Sequence, residues 1–144
     1  MQIQASELPT IAFFGDDIDI AKFRSVSNSS WRRLKPNWGF WTSPVMDDGR
    51  SAWMVWADEE RFRVNHRAAY LQEIEPKADA KVFEINDIDD ALWLQEKYEW
   101  DWEAIANDYD AVYVTRDGVY IMRDGCWDMP SVLWFNMDAF KVIA

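Results

Sequence analysis

The chain has 144 residues, 49% of them hydrophobic and 16% aromatic, which is enough apolar surface for one substantial core and too much for a disordered segment. Its 26 acidic residues outnumber 15 Lys and Arg, and the net charge of -11 repels phosphate backbones and anionic lipids, so neither direct nucleic-acid binding nor membrane binding is expected. A lone cysteine, Cys126, rules out an internal disulfide, and no stretch approaches the roughly 18 apolar residues of a membrane span. The opening residues lack a basic segment followed by a clean apolar run, so a cytoplasmic location is expected. No repeat and no Gly/Ser- or Pro-rich linker divides the sequence, which reads as a single domain over residues 1–144.

In chain order, "IAFFG" (11–15) predicts a short strand ended by a Gly-Asp-Asp turn. "AKFRSVS" (21–27) alternates enough for a second strand, with Phe23 and Ser25 on one face and Arg24 and Val26 on the other. "GFWTSP" (39–44) predicts a third, ended by Pro44, which has no ladder N–H to give. After the turn "DDGR", Ser51 caps a helix over 51–62 that places Trp53, Trp56, Ala57 and Glu60 on one face. Strands follow at about 68–74 and 81–85, broken by the turn "EPKADA". Asn86 or Asp87 caps "IDDALWLQEKY", whose Ile88, Ala91 and Leu92 form an inner stripe, and Asp101 caps "WEAIANDY". "AVYVTRDGVYIMR" (111–123) predicts a β-hairpin turning at Asp117-Gly118, a pair suited to a type I′ turn. The loop "DGCWDMP" leads to a strand, "SVLWFN" (131–136), and a closing element, "MDAFKVIA". The whole is α+β with a mixed or antiparallel sheet and flanking helices.

Familiar site chemistries find little purchase. His66 is the only histidine and has no Cys or His neighbour at metal spacing, so no metal site is expected. Cys126 stands in a loop where a nucleophile would fit, but His66 alone would have to serve as its base, and an inert surface thiol is the simpler reading. The acidic pairs at 16–17, 47–48 and 89–90 lack the ladder of a calcium loop and read as solvated turns and helix starts. Walker, GxGxxG and GxSxG motifs do not occur.

Ten tryptophans remain. Trp53, Trp93, Trp102 and Trp134 fall in helix and strand patterns and read as packing residues, whereas Trp38, Trp41 and Trp127 lie at strand ends or in loops. There they either pack against the helices or floor a site for a planar ring such as nicotinamide or adenine. Thr42-Ser43 carries the same two alternatives, a buried strand end or a hydroxyl floor.

Taken in order, "FRSVS", "GFWTSP", the helix at 51–62, "YLQEIEPKADAKVFEIN", "YDAVYV" and "SVLWFN" resemble the strand order of the ADP-ribosyltransferase-like fold, especially its small phage and bacterial members. That resemblance implies NAD as the bound substrate, with Arg24 as the arginine of the first core strand and Thr42-Ser43 as the hydroxyl element of the second. Arg24, Ser25, Trp41, Thr42 and Ser43 form the implied NAD-binding set. The family carries a catalytic Glu just before the apolar core of a late strand; this chain has Ser131 there, and Asp128 is the nearest acid. Two functions follow: transfer of ADP-ribose from NAD to a macromolecular acceptor, with Asp128 as the candidate catalytic acid, or a catalytically inactive, acidic, phage-encoded protein that inhibits a host factor by occupying its basic surface. The first needs a protein or nucleic-acid acceptor and the second a protein partner, while a third reading is a small housekeeping domain whose acidity only secures solubility.

Overall fold

A computed structural model of the chain describes residues 1–60 and 70–143. In chain order the elements are β1 (Gln2–Ile3), β2 (Ile11–Gly15), β3 (Phe40–Pro44), α1 (Ala52–Glu59), β4 (Tyr70–Pro76), β5 (Val82–Ile85), α2 (Ile88–Tyr98), α3 (Trp102–Asp108), β6 (Ala111–Val114), α4 (Arg116–Met122), β7 (Ser131–Trp134) and β8 (Phe140–Val142). The strands join in one mixed sheet, ordered β1-β5-β6-β7-β3-β2-β4-β8. Among the described residues only β5 and β6 run parallel, and α2 with α3 supplies the long crossover that a parallel pair requires. The α+β class with a mixed sheet and flanking helices is therefore the one the sequence predicts.

The sheet curls. β8 is the edge strand beyond β4, yet Phe140 on it stacks on Phe40 of β3 with the ring centroids 5.3 Å apart and meets Trp134 of β7 at 5.0 Å. Strand alternation then builds two cores. Val112, Val114 and Leu133 face the helices and pack with Leu94, Trp102, Ile105 and Met122, while Ala111, Val132 and Trp134 point into the curl with Ile11, Ile74 and Phe140. The join between the halves is narrow, since β2 and β3 pair only at Ile11↔Pro44 and Ala12↔Ser43.

Three sequence expectations change. The segment 111–123 is no hairpin: β6 finds partners on both sides, β5 and β7, and Thr115 then caps α4 by accepting the Gly118 N–H at 3.1 Å. "FRSVS" is no strand, for Phe23 closes a 3₁₀ turn over Ile20–Lys22 and only Ser27 makes a bridge, to Asn37. In α2 the inner stripe is Ala91 and Leu94, while Ile88 and Leu92 are exposed, so the buried face is rotated from the expected one. The strands on either side of "EPKADA" do not pair with each other; β4 joins β2 and β8, and β5 joins β1 and β6. Ser51 caps α1 as expected, accepting from Met54 N, and Asp87 and Asp101 cap α2 and α3. His66, the helix end at 61–62 and the strand start at 68–69 lie outside the described residues.

Candidate functional site

The hydroxyls of β3 are scaffold. Thr42 is buried; its Oγ1 donates to Val132 O at 2.8 Å and accepts from Trp134 Nε1 at 3.1 Å. Ser43 is also buried, and its Oγ accepts from the Trp53 N–H at 3.1 Å, which anchors the first turn of α1 on the strand. Ser131 completes the arrangement by donating to Met129 O at 2.8 Å while accepting from Trp53 Nε1 at 3.0 Å. Thr42 and Ser131 each hold an indole N–H, and Ser43 holds the backbone N–H of Trp53. Thr42→Val keeps the shape but strands the Trp134 N–H, so we expect a stability loss of about 1–3 kcal/mol in urea unfolding with ligand affinity unchanged.

What these hydroxyls hold up is a cleft of about 570 Å³ between β2, the loop before β3, and α1. Trp38, Trp41, Trp53 and Trp56 line it, together with Arg32 and Lys35. Trp53 and Trp56 meet edge to face at 5.4 Å, and Trp41 leans on Trp127 at 4.9 Å. Trp38 has a left-handed backbone, φ 64°, followed by Gly39 at φ 80°; a Cβ at Gly39 would lie 2.6 Å from Leu133 Cδ1. This turn leaves Trp38 54% exposed at the rim, while its carbonyl accepts from Trp41 Nε1 at 2.9 Å.

Two cations serve this cleft, and no carboxylate among the described residues lines it. The Lys35 ammonium lies 5.0 Å from the centre of the Trp41 ring and donates to Cys126 O at 3.0 Å. Burial, then the nearby Arg32 charge, holds the lysine below its ordinary pKa; the charges of Asp128 and Cys126 act the other way. Arg32 packs its guanidinium over Trp31 at 4.5 Å, and its Nε is buried with no acceptor among the described residues. Aromatic walls with unneutralised cations suit a planar, anionic ligand.

Compared with known proteins, the chain matches no family model, no curated protein and no solved structure.

The residues singled out from sequence are dispersed. Trp41 lines the cleft; Thr42 and Ser43 lie behind its walls. Arg24 and Ser25 are exposed, and the Arg24 guanidinium sits 4.4 Å from the centre of the Trp38 ring, in a neighbouring cavity bordered by Asp16, Asp17 and Asp19. Asp128 borders a third cavity of about 630 Å³ with Arg116 and Arg123, against the α1 face formed by Ala52, Val55 and Glu59 rather than the one bearing Trp53 and Trp56. Arg24, Ser43 and Asp128 therefore do not converge on one cavity. Cys126 is an exposed free thiol, and among the described residues no cluster of His, Cys, Asp or Glu is arranged to hold a metal. No described helix is long and apolar enough to cross a membrane.

Sequence reasoning passed over Arg32 and Lys35, although a signal was there. Residues 20–46 carry five of the 15 cations and none of the 26 acids. In so acidic a chain, that run is where an anion meets least repulsion.

Proposed function

We propose that the chain is an ADP-ribosyltransferase-like protein that binds NAD in the tryptophan cleft and passes ADP-ribose to a macromolecular acceptor. One observation carries the reading: among the described residues, four indoles and two cations but no carboxylate line a single cleft in a protein of net charge -11. The indoles take a flat ring by stacking, and Arg32 and Lys35 take the diphosphate. Arg24, assigned by resemblance to clamp the dinucleotide, instead backs the rim indole Trp38. Asp128, whose charge reaches Lys35 from the next cavity, is the acid assigned to the transfer step.

Calorimetry with NAD tests this directly. Wild-type protein is expected to bind, and Trp38→Ala to bind roughly tenfold more weakly through loss of one stacking face. Absence of heat at millimolar NAD would sink the reading. Ser131 supports the second reading, an acidic inhibitor of a host factor. It occupies the position where the family carries its glutamate and is committed to the Trp53 indole. That reading expects NAD to bind without release of nicotinamide, or not at all, and a basic protein to bind with an affinity that falls steeply with salt.

A further inference from the structure

Among the described residues, two buried side-chain donors meet no acceptor, Arg32 Nε and Trp100 Nε1. Both residues line one small cavity of about 310 Å³, between the loop at 28–33 and the α2–α3 junction. Buried N–H groups almost always find a partner, so two orphans on residues that line one cavity require an explanation. The backbone there is unusual as well. Glu99 and Trp100 are consecutive left-handed residues, φ 51° and 59°, although neither is glycine. The left-handed Glu99 is the C-cap of α2, and this turn carries the chain into α3. Here it places Trp100, only 5% exposed, against Trp102 at 5.8 Å and in the wall of the cavity.

The chemistry of the wall selects the ligand. Ser29 Oγ accepts from the Arg32 N–H at 3.1 Å and retains its own hydroxyl hydrogen to donate. Arg33 reaches Glu99 O through one Nη at 3.4 Å, a long bond that leaves the rest of its fork available. Two acids also border this cavity, Asp101, whose bonds from Asn28 Nδ2 at 2.9 Å and Ala104 N at 3.2 Å keep it charged, and the exposed Glu99, so discrimination rests on the directed N–H and O–H donors rather than on net charge. The two guanidinium groups, indole N–H and hydroxyl form a set of donors for a compact oxyanion.

We propose that this cavity is an oxyanion subsite that takes a phosphate group of the dinucleotide whose rings occupy the tryptophan cleft. Arg32 lines both cavities and joins them. The proposal rests on the NAD reading for the identity of the ligand, and on the orphaned donors for the site itself.

Indole N–H signals in ¹H–¹⁵N spectra of the whole chain test it, with Trp100→Phe identifying the Trp100 signal. NAD is expected to move that signal and the signals of the cleft indoles, phosphate-free adenosine only those of the cleft, and inorganic phosphate only that of Trp100. Trp100→Phe and, separately, Arg33→Met should each weaken NAD binding roughly tenfold and leave adenosine binding unchanged. If NAD moves the cleft signals but not that of Trp100, the subsite is overturned and the NAD reading stands. If NAD moves none, the NAD reading fails; a Trp100 response to inorganic phosphate would then leave a free-phosphate site, and silence would overturn that too.

Discussion

Gly118→Ala is expected to destabilise the protein by about 3 kcal/mol or more, measured by urea unfolding, although alanine is the better helix former. At an exposed helix position the exchange would gain up to about 1 kcal/mol. Gly118 is buried near the start of α4, and a Cβ there would lie 2.0 Å from Ile85 O and 3.0 Å from Ile85 C. Neither is a side-chain end that can swing aside. Ile85 ends β5, and its carbonyl also accepts from Thr115 N at 3.1 Å, so moving it disturbs the cap of α4 and the parallel β5–β6 pair together. A neutral or stabilising result would mean that α4 does not pack on β5 this closely.

The same glycine shows where local pattern misleads. Asp-Gly between two β-rich runs reads as a hairpin, but Thr115 supplies a helix cap, Asp117 a first-turn acid, and Gly118 the only side-chain-free surface that fits against Ile85. What decided the outcome was β7, which already occupies the side of β6 that the second arm of a hairpin would need. Thr42 and Ser43 pose the same difficulty at longer range. Their meaning depends on Val132 and Trp134, some ninety positions away in sequence, and on how α1 docks. Elements whose own residues satisfy their own ends, such as α2 and α3 with Asp87 and Asp101, were legible. Their core partners were less so: the α2 stripe was misphased because its Leu94, not Leu92, meets the sheet. The cleft was half legible, since its tryptophans stand out, whereas Arg32 and Lys35 acquire meaning only once the acid-free run at 20–46 folds against α1.

Lys35→Met is the variant expected to affect ligand affinity most, lowering it about ten- to hundredfold at neutral pH through loss of one charge-assisted contact. Its pH behaviour separates charge from packing. In the empty protein, burial and then Arg32 hold the Lys35 amine below the ordinary lysine value. As pH rises through that lowered value the amine turns neutral, and affinity for a phosphate-bearing ligand should fall; a bound anion restores the proton, so binding takes up a proton in this window. The variant should therefore bind weakly and without that slope, as read by calorimetry in buffers of differing ionisation enthalpy. The folding effect has the opposite sign. A lysine whose pKa is depressed by folding opposes folding below that pKa, and the opposition lifts as pH climbs from the folded value to the unfolded one. At neutral pH the empty Lys35→Met protein should accordingly be at least as stable as the wild type, so unfolding cannot account for its loss of binding. A slope that survives in the variant would assign the titration to another group and remove Lys35 from the anion site.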